Sequence, residues 1–153
     1  MLTFVLDEGP PRALTLRTSI IGRELATSQG LVEWFLRQEH HAPGFTQAIF
    51  SGLTTIELSR VILRVIQSHP SLEGLYHVAA EPISKYDLLI LLNRAFARGL
   101  RIDPDDSLRI DRSLDGSRFR AATGYEPPDW PGMIDEMAAD ATPYDRWRSL
   151  NAG

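Results

Sequence analysis

Arg17 and Arg112 are the side chains in this sequence best suited to grip an anionic ligand. A guanidinium presents a planar fork of donors that meets a phosphate or carboxylate through two bonds at once. Arg17 emerges towards the end of a strand expected over 13–21, and open α/β sheets place ligands at strand ends. An ion pair at a sheet edge is an equally good use for it. Thr18 and Ser19 follow, able either to offer hydroxyl and backbone groups to a ligand or to make ordinary strand-end hydrogen bonds. Arg112 is flanked by Asp111 and Asp115, so a local salt bridge competes with phosphate contact and is slightly favoured. Thr54 is first of all a helix cap.

Other groups have weaker claims. His40 and His41 are adjacent rather than at helical ligand spacing, sit in an expected loop, and have only Glu39 nearby, so no metal site is expected. His77 alternates with Tyr76 in an expected core strand and reads as a satisfied core residue. Ser51 lies in Phe50-Ser51-Gly52, outside the pattern of a hydrolase nucleophile. Asp103, Asp105 and Asp106 read as a solvated acidic turn.

Composition narrows the classes. A chain of 153 residues with 43% apolar and 24% charged content is enough for one globular domain with a core. Without cysteine there are no disulfides, thiolate metal ligands or thiol nucleophiles. The apolar run Leu88 to Leu92 falls far short of the roughly 20 residues that cross a bilayer, and the N-terminus meets Asp7 and Glu8 too soon for a signal peptide. No membrane partner and a cytoplasmic location are expected. A net charge of -4 gives no electrostatic case for nucleic acid.

The elements that position these residues alternate. The spacing predicts a strand over 13–21 ending at Gly22 and a short helix over 30–38 with Leu31, Trp34 and Phe35 on one stripe. A brief strand follows at 48–50. Thr54 with Glu57 three positions on has the capping-box pattern, opening a helix with Leu58, Val61, Ile62, Val65 and Ile66 on its inner face. A core strand over 74–79 precedes a second helix capped by Ser84, carrying Leu88, Leu91, Leu92 and Phe96, and stopped by Gly99. Short strands at 100–102 and 108–110, a helix over 117–122 ended by Gly124, an extended Pro127-Pro128 link and a helix from Pro131 to about Ala139 complete the order. Tyr144 and Trp147 lie three apart in the tail, which is expected to dock.

Several segments resemble one family in order and spacing. Leu16-Arg17-Thr18-Ser19-Ile20-Ile21-Gly22 is similar to the strand after the catalytic pair of extended short-chain dehydrogenases/reductases that modify nucleotide sugars, such as dTDP-4-dehydrorhamnose reductases and related NAD-dependent epimerases. Phe50-Ser51-Gly52-Leu53-Thr54-Thr55 resembles their Gly-x-Pro-Thr stretch, with Leu53 in the proline's place. Gly74-Leu75-Tyr76-His77-Val78 resembles their Gly-x-Tyr-His strand, and Ser84-Lys85-Tyr86-Asp87 the start of the next helix. Arg112 to Ser117 resembles an Arg-Pro-x-x-Ser-x-Leu-Asp segment, and Pro128-Asp129-Trp130 a Pro-x-Trp.

The resemblance implies an α/β fold: the C-terminal part of an extended Rossmann-like fold, a few mostly parallel strands with helices, without the N-terminal dinucleotide-binding half. Residues 1–12 have no counterpart, and 13–150 form a single substrate-binding-like domain. By the same resemblance Thr18, Ser19 and Ile20 lie beside the nicotinamide of NAD or NADP, while Arg17, Ile21, Thr54 and Arg112 face a nucleotide-sugar substrate. No catalytic residue carries over. In the complete family a Tyr-x-x-x-Lys supplies the general acid and hydride moves between nicotinamide and sugar. Here the only lysine, Lys85, has Glu81 four places before it, Tyr144 is followed at that spacing by Arg148, and no Gly-x-Gly-x-x-Gly or Gly-x-x-Gly-x-x-Gly occurs. The expectation is a substrate-side half that holds NAD(P) weakly by itself and is not catalytic alone. A second reading is a non-catalytic interaction module that self-associates or meets a separate N-terminal half, because a split sheet leaves an unpaired edge. A third is a small α/β domain with no ligand.

Overall fold

The computed structural model describes residues 2–5 and 13–150. Of the unmatched segment 1–12, only β1 (Leu2–Val5) lies within the described residues. β1 runs antiparallel to β2 (Ala13–Arg17), Leu2 opposite Leu16 and Val5 opposite Ala13. Along β2, Leu14 and Leu16 are fully buried while their neighbours are not, the alternation of a strand with one core face.

The single strand expected over 13–21 is two. β2 stops at Arg17, the chain bends through Thr18-Ser19, and β3 (Ile20–Ile21) resumes with a different neighbour. The carbonyl of Arg17 still accepts from Val78 N–H (3.0 Å), whereas that of Ser19 accepts from Leu53 N–H (2.9 Å). The backbone thus changes partner across two residues.

α1 (Leu31–Leu36) buries Val32, Glu33 and Phe35. β4 (His41–Phe45) comes next, where a loop was expected, then β5 (Ala48–Phe50) and β6 (Leu53–Thr54). α2 (Thr55–Ser68) starts as predicted, with the Thr54 hydroxyl accepting from Glu57 N–H at 3.3 Å. The reciprocal half of the capping box is not made: the Glu57 carboxylate accepts from Tyr125 Oη–H at 2.9 Å and meets Arg60 at 3.3 Å. Leu58, Val61 and Val65 are buried, but Ile66 is 51% exposed, so the inner stripe is narrower than its sequence.

β7 (Gly74–His77) pairs parallel with β2, Leu14 opposite Gly74 and Arg17 opposite His77. His77 is half-buried, not a core residue. After β8 (Ile83–Ser84), α3 (Lys85–Ala95) is capped by Ser84, whose hydroxyl accepts from Asp87 N–H at 3.0 Å. It stops at Ala95, before the predicted Gly99. Ala97 takes a left-handed φ of 49°, and the Asn93 side chain bonds both N–H and C=O of Leu100, turning the chain back. β9 (Arg101–Asp105) runs through the residues expected to be an acidic turn, and β10 (Ile110–Asp111) follows.

α4 (Ser117–Thr123) closes on Gly124 at φ 61°, and α5 (Trp130–Ala139) is capped by Asp129 with Pro131 in its first turn. α6 (Tyr144–Leu150) buries none of its residues. β3 pairs with β6, β4 with β9 and β5 with β10, all parallel, and β8 is antiparallel to β5. The architecture is the expected α/β arrangement of short, mostly parallel strand pairs covered by helices. Its core gathers Leu14, Leu16, Phe35, Val61, Leu88, Leu92, Phe119 and Ile134. β2 has β7 on one side and β1 on the other, so β1 and β7 are the outer strands of that sheet among the described residues. No helix among the described residues is long and apolar enough to cross a membrane.

Candidate functional site

The change of partner at Thr18-Ser19 opens a cleft of about 310 Å³. Ser19 and Ile21 form one wall. Ala48, Ile49 and Phe50 of β5 form another, with Leu108, Ile110 and Arg112 around β10, Leu31 of α1, and Lys85 and Leu88 of α3 closing it. The walls are mainly hydrocarbon, with a hydroxyl, a guanidinium and an ammonium as the polar exceptions. This is the usual make-up of a small-molecule site, where a few polar groups orient a ligand held by apolar contact.

A second cleft of about 320 Å³ shares Leu31 and Lys85 with the first and is otherwise lined by Trp34, Pro43, Phe45 and Leu89. It is almost wholly apolar. Lys85 therefore stands at the junction of two adjoining depressions, one with polar donors and one with aromatic walls.

Both cations of the first cleft lack partners among the described residues. Asp111 and Asp115, the expected local partners of Arg112, instead accept from Ser113 N–H and Ser117 N–H, each at 2.8 Å. Hydrogen bonding from the side chain and N–H of Ser113, and from the N–H and side chain of Ser117, holds both carboxyls below the ordinary aspartate range. The local salt bridge is not formed, and Arg112 is exposed beside the cleft.

The structure gathers Ser19, Ile21 and Arg112 and leaves the other sequence candidates outside. Arg17 is exposed at the end of β2 and lines neither cleft. The Thr18 hydroxyl donates to the Ser19 carbonyl at 3.1 Å, and Ile20 is 52% exposed on the far side of the strand. Thr54 is fully buried with its hydroxyl committed to the α2 cap, so no ligand reaches it. Lys85 is the site residue that sequence reasoning missed. Its signal was present: the sole lysine, directly after a capping serine, at the head of an apolar helix.

Gly52 explains part of the motif it belongs to. A Cβ there would collide with the Ser19 carbonyl oxygen and with the Phe50 ring, so a side chain would force the cleft wall outward. Ser51 is buried, its hydroxyl accepting from Leu114 N–H at 2.7 Å and tying β5 to the segment after Arg112.

The remaining ionisable clusters are structural. His41 Nδ1 lies 2.9 Å from Asp103, and Arg101 with His41 lowers the pKa of that aspartate. Among the described residues no three His, Asp or Glu side chains gather as a metal site. A third depression, of about 360 Å³, lies between α1 and α6 and is lined by Arg23, Arg37, Arg98, Arg148, Glu33 and Asp145. Glu33, 3% exposed, receives Arg23 Nε and Arg148 at 2.6 Å each. Burial raises its pKa, but the hydrogen bonds from the two arginines outweigh that and leave it lowered. The tail docks through Arg148 and through Tyr144, whose ring lies 4.9 Å from the Arg23 guanidinium, but not through Trp147, which is 43% exposed. Tyr144 and Arg148 are spoken for by Asp140 and Glu33 and form no catalytic pair.

A dinucleotide cofactor does not fit the residues present. Its pyrophosphate would need a glycine-rich turn between strand and helix, and the positions expected beside a nicotinamide supply only Ser19 to the cleft.

No protein-family model and no curated protein matches the sequence. Solved structures do. The chain is similar to the dTDP-4-dehydrorhamnose reductase of Bacillus anthracis in complex with NADP, at 17% identity and a TM-score of 0.67 over 81% of this chain and 47% of that one. It is similar to a hypothetical dTDP-4-dehydrorhamnose reductase from Sulfolobus tokodaii, at 25% identity and 0.59 over 79% and 46%. It is also similar to the UDP-glucose 4-epimerase of Thermotoga maritima with UDP-glucose, at 17% identity and 0.61 over 90% and 46%. The fold is that of nucleotide-sugar reductases and epimerases with Rossmann-like architecture, as expected from the sequence, and the chain spans about half the length of each.

Proposed function

We propose that this chain is the substrate-binding half of an NAD(P)-dependent nucleotide-sugar reductase or epimerase, corresponding to the C-terminal part of such enzymes, and that it binds its ligand without turning it over alone. The observation that carries the reading is the pair of adjoining clefts. One offers hydroxyl and cationic donors suited to phosphate and sugar. The other offers aromatic and aliphatic walls suited to a nucleobase, with Lys85 between them. Binding without a proton donor or hydride source does not lower a barrier, and the sequence contains neither Tyr-x-x-x-Lys nor a glycine-rich dinucleotide turn. The cytoplasmic location expected from the sequence belongs to this reading.

One observation favours a second reading, the non-catalytic interaction module, in its self-associating form rather than paired with a separate N-terminal half. β1 lies on the outer edge of β2, so a separate N-terminal half would have to displace β1 to extend the sheet there.

Calorimetric titration with dTDP-glucose and UDP-glucose, and with NADPH in parallel, separates the two. Saturable sugar-nucleotide binding that weakens in Arg112→Ala, with little heat from NADPH, supports the substrate half. A folded sample that binds none of the three overturns it in favour of the module.

A further inference from the structure

Lys85 stands where three physical effects disfavour a cation. It is the first residue of the 11-residue α3, at the positive end of the helix dipole, where acidic side chains are the stabilising choice. Its side chain is half-buried at the meeting of two mainly hydrocarbon clefts, so the ammonium has given up part of its hydration. No described residue compensates by hydrogen bond or ion pair. Asp87, two positions on, bonds the Ser84 hydroxyl at 2.6 Å instead.

The rest of the chain treats cations differently. Every other Lys or Arg position is an arginine, and two of those in comparable burial, Arg23 and Arg148, close on Glu33. A local choice that conflicts with its surroundings and has no internal compensation marks functional positions. The one group in the same cleft with the same property is Arg112.

We propose that Lys85 is the residue that fixes a nucleotide sugar in register across the two clefts, clamping its diphosphate against Arg112. This rests on the nucleotide-sugar reading above. Arg112 lines the first cleft only, whereas Lys85 lines both, so a diphosphate held by the pair sits at the junction with one substituent directed into each. The ammonium's missing partner is then the ligand's phosphate oxygens, and the selectivity that follows is for a diphosphate over a neutral nucleoside.

The test titrates wild type, Lys85→Gln, Lys85→Arg and Arg146→Gln with UDP-glucose, dTDP-glucose, uridine and inorganic pyrophosphate. Arg146 is exposed on α6 and controls for the loss of one positive charge. Lys85→Gln is expected to weaken both nucleotide sugars and pyrophosphate about 10- to 100-fold, the range for a charge-assisted hydrogen bond. Uridine should change less than about twofold, and Arg146→Gln should match wild type. Lys85→Arg keeps the charge and should recover most of the affinity. Because Lys85 has no partner to lose, Lys85→Gln should keep or raise the urea midpoint; a fall would indicate a structural role and count against the proposal. If the nucleotide sugars bind wild type and Lys85→Gln binds them equally, the clamp is wrong while the nucleotide-sugar reading stands. If pyrophosphate binds through Lys85 but the nucleotide sugars do not bind, the anion clamp stands and that reading falls. If folded wild type binds neither, both are overturned.

Discussion

The carbonyl oxygen of Ser19 occupies the space that a β-carbon on Gly52 would need, and it accepts the N–H of Leu53 at 2.9 Å. Gly52 is not in a left-handed conformation, so its requirement is purely steric. Gly52→Ala should displace Ser19 or the Phe50 ring and destabilise the fold by about 1–3 kcal/mol, as overpacking does. A fall in the urea midpoint at unchanged slope is the expected result. An alanine variant as stable as wild type would mean the two segments are free to separate.

Arg112 and Arg17 have equal claims in the sequence and unequal places in the structure. Arg112 lines the first cleft and Arg17 lines neither. Arg112→Ala should weaken sugar-nucleotide binding about tenfold or more, while Arg17→Ala should leave the titration unchanged. Equal losses from both would relocate the site to the end of β2.

Tyr125 donates to the buried carboxylate of Glu57, joining the chain after α4 to the first turn of α2. Burial and the neighbouring negative charge push the phenol's pKa up from its ordinary 10.0. A group with a raised folded pKa stabilises below its unfolded value and loses that contribution as pH rises beyond it. Wild type should therefore lose stability above about pH 10, and Tyr125→Phe should flatten that alkaline arm. At neutral pH the same variant leaves Glu57 short of a donor and should cost about 1–3 kcal/mol by urea denaturation.

Glu33 gives the opposite sign. Its folded pKa is lowered from 4.5, so its contribution is complete above that value and is lost as pH falls through the lower folded one. Acidification below 4.5 should release α6, seen as faster amide exchange over 144–150, before the core opens. Glu33→Gln should produce that release at neutral pH. Unchanged protection in this variant would show that α6 is held by something other than its ion pairs.

What the sequence made legible was local. Thr54, Ser84 and Gly124 announce helix ends through side-chain oxygens or a tolerated positive φ, and each stands where it was expected. β4 and the second half of β9, beyond the strand expected at 100–102, were hidden because His-Ala-Pro-Gly-Phe and Asp-Pro-Asp carry residues that strands usually avoid. They become strands only through one another, His41 opposite Arg101 and Phe45 opposite Asp105. Lys85 stands out in the sequence as the sole lysine and as misplaced for a catalytic pair, while its place in the clefts was hidden for a similar reason. Its significance lies in Leu31 and Arg112, which come to it from remote parts of the chain. Ser19 and Arg112, named from family-like motifs, line the first cleft, whereas Thr54 shared in such a motif and is a cap.

The tail helix has a kinetic meaning beyond its contacts. Arg148 donates to the carbonyl of Glu24 at 3.1 Å, a bond spanning 124 positions of sequence. Bringing such distant points together from an open chain costs about 4 kcal/mol in loop entropy, and α6 brings no buried side chain to offset it. The clasp therefore assembles only after the sheet and the inner helices have already shortened that path. Interactions absent from the folding transition state act on the escape rate, so weakening this clasp should hasten unfolding and leave the refolding rate untouched.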